Sequence, residues 1–261
     1  MKTVILCGGF GTRIRDVADN VPKPMIPIGP YPVLWHIMKH YARYGHKEFI
    51  LCLGYRGEVI KDFFINYKYR TQDFTMTLDC ASPMTYHAAS GDLDWKVTLA
   101  DTGLNSLTGA RVKLIQKYLN PGEDFMLTYG DGVGDVDLDA LVAFHRRHGR
   151  IMTVTGVNPP GRFGELGSDA QGAVTEFNEK PQTTAGRISG GFFVCKSSLF
   201  NYLPDRPDLI FEQEPMRALV KERQMMLYEH NGFWQPMDTY REYRLLNDLY
   251  DSGKAPWVSG T

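Results

Sequence analysis

Residues 3–13 read TVILCGGFGTR, and the fold is decided here. The apolar run at 3–7 predicts a short β-strand. The glycines behind it let the backbone turn tightly and point N–H groups at an anion. Arg13 and, ten residues later, Lys23 add two positive charges. The stretch predicts a first strand ending in a polyphosphate-binding turn; a plain strand-to-loop connection is the alternative. It is neither a Walker loop nor a dinucleotide fingerprint, because the required lysine and third glycine are missing.

Helices and strands alternate after this turn. Pro32 opens a predicted helix that Gly45 ends, and residues 49–53 predict a second buried strand. Val59 and Ile60 begin a further apolar helical stripe. Strand, helix, strand, helix is the order that predicts an α/β fold, in which helices cover both faces of a parallel sheet. Residues 107–118 predict a further helix.

The segment at about 67–100 breaks the alternation. Two predicted strands, 74–78 and 96–99, flank a polar stretch, and we expect the whole segment to leave the main sheet. It is either a surface hairpin or an oligomer contact. No linker interrupts the rest, so residues 1–261 are taken as one domain carrying this excursion.

Composition narrows the class of protein. The net charge of −1 argues against a nucleic-acid-binding surface. The four cysteines show no metal or disulfide spacing, which fits a reducing cytoplasm. The first apolar run is too short for a signal peptide, and no run approaches the ~20 apolar residues of a membrane span.

Two aspartates are candidate metal ligands. Asp131 follows the apolar run 125–128, and in open α/β sheets ligands bind at the carboxyl ends of strands. Asp238 precedes a predicted helix that Thr239 and Glu242 begin with a capping box, which leaves the Asp238 carboxylate for another role. Two carboxylates with phosphate oxygens and water suit Mg²⁺. The alternatives are an Asp-Gly turn for Asp131 and a helix cap for Asp238.

The histidines do not cluster with metal-binding spacing, and His145 and His148 are expected to be solvated at a helix end.

Several strings, in order along nearly the whole chain, resemble those of the sugar-nucleotide pyrophosphorylases and, among them, the glucose-1-phosphate cytidylyltransferases. Beyond GGFGTR and Lys23-Pro24 they are LWHIMK (34–39), DTG (101–103), TGAR (108–111), YGDGV (129–133), PGRFG (160–164), GGFFV (190–194) and GFWQPMDT (232–239).

The resemblance implies a fold and a site. The fold would be a Rossmann-like, mostly parallel mixed sheet with helices on both faces, in a homo-oligomer. CTP and a sugar 1-phosphate would be the substrates, Mg²⁺ the cofactor, and Arg13 and Lys23 the catalytic cations. The nucleotide would contact Leu6, Cys7, Gly8, Gly9, Phe10, Gly11, Thr12, Arg13, Lys23, Ser106, Arg111 and Gly130. The sugar phosphate would meet Glu179, Lys180 and Gly191, and the metal would be held by Asp131 and Asp238.

The chain departs from the family pattern at Cys7, Glu165 and Ser189, the last two near the expected sugar site. Three alternatives therefore stay open: the same chemistry with dTTP or UTP, a different sugar phosphate or small phosphorylated acceptor, and a regulatory module that binds nucleotide without turnover.

The proposed nucleophile needs no general base, because a phosphate monoester is mostly a dianion at neutral pH. This agrees with the lack of a catalytic His or Ser constellation.

Overall fold

The structure is a computed structural model that describes residues 1–9, 21–78, 84–87, 93–159, 165–168, 171, 174–178 and 186–259. Its strands are β1 (Thr3–Leu6), β2 (Pro27–Ile28), β3 (Tyr31–Pro32), β4 (Glu48–Leu53), β5 (Asp73–Thr75), β6 (Thr85–His87), β7 (Lys96–Asp101), β8 (Phe125–Tyr129), β9 (Gly132–Gly134), β10 (Met152–Val157), β11 (Glu165–Ser168), β12 (Val174–Asn178), β13 (Ile188–Cys195), β14 (Met225–His230) and β15 (Trp234–Pro236). The helices are α1 (Val33–Arg43), α2 (Gly57–Ile65), α3 (Tyr67–Thr71), α4 (Thr108–Leu114), α5 (Leu138–His148), α6 (Glu214–Lys221), α7 (Tyr240–Asp251) and α8 (Pro256–Ser259). Single 3₁₀ segments cover Lys23–Met25, Ile115–Tyr118 and Ser197–Tyr202.

Seven strands form the main sheet, in the order β14-β10-β13-β8-β1-β4-β7. Neighbours pair in parallel except where β13 meets β10 and β8, so β13 alone runs against the other six. The carboxyl ends of β1 and β8 consequently lie side by side at one edge of the sheet. The predicted fold class, a mostly parallel mixed α/β sheet, is confirmed.

Both faces of the sheet are buried. Along β1, Val4 and Leu6 belong to one apolar cluster, whereas Ile5 and the following Cys7 belong to the other. This alternation follows from the two-residue period of a strand, which points successive side chains to opposite faces. Helices α1, α5, α7 and α8 contribute buried side chains to the first face, and α4 and α6 to the second.

Local signals in the sequence position the helix ends. Asp137 caps α5, accepting a hydrogen bond from the Ala140 N–H at 2.9 Å, and Gly149 ends that helix with φ = 66°. Thr239 and Glu242 form the predicted capping box of α7.

None of the described helices is both long and apolar enough to cross a bilayer.

Three expectations from the sequence are corrected. Residues 96–101 do not leave the main sheet: they are its edge strand β7, parallel to β4, so the part of the predicted excursion outside the sheet ends before Lys96. Outside it, β5 and β6 form a separate hairpin. The helix expected over 107–118 becomes 3₁₀ after Leu114. His145 is buried, not solvated; its Nδ1 and Nε2 of His148 lie 2.8 and 2.7 Å from the Thr153 hydroxyl.

Candidate active site

A cavity of about 410 Å³ opens at the carboxyl ends of β1 and β8. It lies where the parallel strands end and their backbone groups become available to a ligand. Its lining residues are Leu6, Cys7, Gly8, Gly9, Lys23, Pro24, Leu104, Asn105, Ser106, Leu107, Thr108, Arg111, Tyr129, Gly130, Asp131 and Asp238. The wall is thus drawn from five separate parts of the chain.

Lys23 joins the two candidate metal ligands. Its Nζ lies 2.6 Å from Oδ2 of Asp131 and also donates to Oδ1 of Asp238. The lysine side chain is 13% exposed, and the two carboxylates are 36% and 27% exposed. Burial alone would lower the pKa of Lys23. The two carboxylates outweigh it, Asp131 first, and the pKa of Lys23 is raised. The ammonium is therefore firmly charged.

A short antiparallel ribbon brings the aspartates together. Strand β9 follows Asp131, β15 ends two residues before Asp238, and Gly132 pairs with Pro236. The carbonyl of Asp131 accepts a hydrogen bond from the Met237 N–H at 2.8 Å. On the other side, the Asp238 N–H donates to Oε2 of Glu242 at 2.7 Å, so the capping box of α7 also fixes the second carboxylate.

The Arg111 guanidinium ties the loop after β7 to the turn after β1. Its Nη1 donates to the carbonyls of Leu53 and Gly103 (2.9 and 2.8 Å) and to the Thr102 hydroxyl (2.8 Å). Its Nη2 donates to the carbonyls of Gly8 and Leu104 (3.1 and 3.3 Å). Arg111 is 5% exposed, and burial lowers its pKa. Nη1 and Nη2 thus both bind groups of the protein itself, and Arg111 supports the cavity wall.

Glycine is required at positions 8 and 130, because neighbouring atoms lie too close to leave room for a side chain. A Cβ on Gly8 would lie 2.2 Å from Cζ of Arg111, whose position is fixed by the five hydrogen bonds above. A Cβ on Gly130 would lie 2.9 Å from the Leu6 carbonyl oxygen and 3.1 Å from Cγ of Pro24. Only glycine fits at either position without shifting the cavity lining.

A family model described as "Nucleotidyl transferase" matches residues 2–244. The chain belongs to the nucleotidyl transferase family. A glucose-1-phosphate cytidylyltransferase of Salmonella typhi is 46% identical over 98% of both chains. A probable glucose-1-phosphate cytidylyltransferase of Bacillus subtilis is 40% identical over 98% of this chain and 99% of its own. The resemblance inferred from the sequence is confirmed.

Solved structures agree on the fold of this nucleotidyl transferase. HddC from Yersinia pseudotuberculosis superposes with a TM-score of 0.67 at 21% identity, covering 95% of this chain and 99% of its own. A UDP-glucose pyrophosphorylase complexed with UDP-glucose gives 0.66 at 13% identity, covering 97% and 98%. At such identities the likeness supports the fold alone.

Most of the sequence-predicted site residues of the nucleotidyl transferase come together. Those lining the cavity are Leu6, Cys7, Gly8, Gly9, Lys23, Ser106, Arg111, Gly130, Asp131 and Asp238. Phe10, Gly11, Thr12, Arg13, Glu179 and Lys180 lie outside the described residues. Gly191 is described but does not line this cavity: it has φ = 77°, and a Cβ there would meet Cδ2 of Tyr129 at 2.4 Å.

The Cys7 thiol in the cavity wall stays neutral. Burial, and then the charges of Cys52 and Asp131, raise the pKa of this thiol well above its ordinary value.

Sequence reasoning missed one pair at the cavity wall. The Tyr129 hydroxyl donates to Oε1 of Glu212, while Oε2 of Glu212 accepts from the Thr108 hydroxyl at 2.7 Å. Glu212 thereby connects the end of β8 to the start of α4. Burial, and then the Glu212 charge, raise the pKa of Tyr129. Glu212 stands in a turn before α6 with no local signature, so only the long-range contact reveals it.

Proposed function

We propose that the protein is a glucose-1-phosphate cytidylyltransferase, which joins CTP and α-D-glucose 1-phosphate to give CDP-glucose and pyrophosphate. The observation that carries the proposal is the cavity at the ends of β1 and β8, where Lys23 and two carboxylates face a glycine turn. Cytidylyltransferase relatives at 46% and 40% identity over nearly the full length support the nucleotide and the sugar.

The reaction needs fixed cations and alignment. An oxygen of the sugar phosphate attacks the α-phosphorus of CTP, and the bond from that phosphorus to the departing pyrophosphate breaks. The attacking dianion needs no base. The obstacle is repulsion between two polyanions, which positive groups offset. In this proposal Lys23 and Arg13 meet the triphosphate, Gly8, Gly9 and Gly130 leave room for it, and Lys180 with Glu179 and Gly191 receives the sugar phosphate.

The two aspartates fit Mg²⁺ as ligands. Both offer hard oxygen donors, and one oxygen of each already converges on a single cationic atom, Nζ of Lys23. Within the described ranges no third His, Cys, Asp or Glu completes a metal-binding group. Mg²⁺ suits such a pair, because it usually keeps several waters and takes substrate phosphates as further ligands. When bound it would offset the charge of the phosphates.

A pyrophosphate-release panel tests the proposal. The protein is assayed with CTP, dTTP and UTP, each with several sugar 1-phosphates in Mg²⁺. CTP with glucose 1-phosphate should give the highest kcat/KM, and Asp131→Asn, close in size to wild type, should abolish the signal. A higher kcat/KM for dTTP or UTP, or for another acceptor, would replace the substrates. Nucleotide binding without any pyrophosphate release would favour a silent regulatory module.

The proposal extends to the domain organisation, the oligomeric state and the cellular location of the protein. We treat residues 1–261 as one nucleotidyltransferase unit, as the match over 2–244 supports. A homo-oligomer formed through the excursion is supported by exposed apolar side chains on and beside it, including Ile65 (74% exposed) and Leu78 (87%). Cytoplasmic placement is supported by Cys7, Cys52 and Cys195, all buried and free.

A further inference from the structure

The Lys23 ammonium lies between the two carboxylates proposed as metal ligands. It contacts Oδ2 of Asp131 and Oδ1 of Asp238, one oxygen of each carboxylate. Magnesium binds oxygen at about 2.0–2.1 Å, which is closer than the 2.6 Å between Nζ and Oδ2 of Asp131, so a bound ion would need space that the ammonium now fills. An ammonium and a divalent ion cannot both sit against the same two oxygens, because like charges at that separation repel strongly.

The backbone of Lys23 is held in place, and a flexible four-carbon stem separates it from the ammonium. Lys23 starts a one-turn 3₁₀ segment in which the Met25 N–H donates to the Pro22 carbonyl at 2.7 Å, and Pro24 is buried. The head group is a compact charge on four rotatable carbons, which can exchange one anionic partner for another. The cavity that Lys23 lines is where the proposed triphosphate would supply that second partner.

We propose that Lys23 is a placeholder cation, which neutralises Asp131 and Asp238 in the nucleotide-free enzyme and releases them to the metal only when a triphosphate draws the ammonium away. The inference rests on the proposed function, because it takes the two aspartates as metal ligands. Its consequence is ordered loading: metal alone binds weakly, and metal and nucleotide favour each other's binding reciprocally.

Mn²⁺ binding to the nucleotide-free full chain, followed by the electron paramagnetic resonance signal of the free ion, tests this directly. Lys23→Met, similar in shape and uncharged, should bind Mn²⁺ about tenfold more tightly than wild type, within the roughly 5–150-fold usual for coupled sites. Lys23→Gln should do the same. Lys23→Arg keeps the charge and is the matched control, expected to bind Mn²⁺ as weakly as wild type.

Thermal unfolding supplies a second measurement without turnover. A ligand that binds only the folded state raises the midpoint, and the rise grows with the logarithm of the ligand concentration divided by its Kd. MgCl₂ alone should therefore raise the midpoint of Lys23→Met and Lys23→Gln while leaving that of wild type nearly unchanged. The same curves establish that each variant is folded, and either neutral variant suffices for the comparison.

The possible outcomes distinguish the placeholder role of Lys23 from the metal site on which the proposed function depends. If the neutral variants bind Mn²⁺ no more tightly than wild type, or if Lys23→Arg binds as tightly as they do, the placeholder role is wrong and the proposed function stands. If wild type binds no Mn²⁺ even with a non-hydrolysable CTP analogue, or if Asp131→Asn leaves that binding unchanged, the metal site itself is wrong. The proposed function then loses its main support as well.

Discussion

Replacing Arg111 by methionine should destabilise the protein and loosen the cavity at the ends of β1 and β8. The change removes the donor of five hydrogen bonds from a nearly buried position. The carbonyls of Leu53 and Gly8 keep other donors, the N–H groups of Thr102 (3.0 Å) and Tyr55 (3.3 Å). The carbonyls of Gly103 and Leu104 lose the guanidinium that joins them to the turn after β1. Both carbonyls belong to exposed residues, where water can replace part of the lost interaction, so at about 0.5–1.5 kcal/mol for each we expect a loss of about 1–3 kcal/mol.

Urea unfolding followed by tryptophan fluorescence measures the loss, and CTP titration measures the effect on the cavity. Because Leu104 and its neighbours form one wall, we expect CTP to bind at least about tenfold more weakly, as a loss of about 1.4 kcal/mol would give. Arg43→Met is the matched control. Arg43 also donates to two carbonyls, of Trp257 and Val258, but it is exposed, so its replacement should cost about 1 kcal/mol or less and leave CTP binding unchanged.

Equal losses in the two variants would refute the reasoning, since burial and the number of acceptors would then not matter. Normal CTP affinity in a clearly destabilised Arg111→Met protein would show that Arg111 supports the fold but not the cavity wall.

Three further predictions concern other parts of the molecule. Asp131→Ala should lower the rate of pyrophosphate release about 100-fold or more, since a metal supplies several kcal/mol of charge stabilisation; a near-normal rate would remove Asp131 from the metal site. Burial, and then the charge of neighbouring His148, lower the pKa of His145 to about 4, so the fold keeps it neutral and loses stability as the pH falls from about 6.5 towards 4. His145→Gln should make the dependence of the urea midpoint on pH less steep in that window, and an unchanged slope would contradict the assignment. Ile65→Ser with Leu78→Ser should reduce the mass measured by light scattering, whereas Leu245→Ser, an exposed control on α7, should not; an unchanged mass would place the interface elsewhere.

The sequence predicted what local chemistry determines. Pro32 and Gly45 bracket a helix because proline lacks an N–H and glycine tolerates positive φ, and α1 lies between them. The capping box at Thr239 was predicted from two residues three apart. The first strand was predicted from an apolar run that is buried on both faces. Each signal involves residues close together in the chain, so no tertiary information was needed.

Features set by long-range pairing escaped prediction. The ribbon of β9 and β15 has three residues in each strand, too few to show a period, yet it is what brings Asp131 beside Asp238. Strand β7 was assigned to the excursion because the stretch before it is polar, and only its pairing with β4 places it in the sheet. His145 was expected in water because its helix end is rich in charge. The Thr153 hydroxyl that lies against it comes from β10.

The β9–β15 ribbon also sets the order in which the cavity can be completed during synthesis. A ribosome adds about 5–20 residues per second, so Asp238 follows Asp131 by roughly 5–20 s. A nascent chain that already carries the glycine turn, Lys23 and Asp131 still lacks its second carboxylate. Translation thus supplies the second of the two proposed metal ligands more than a hundred residues after the first.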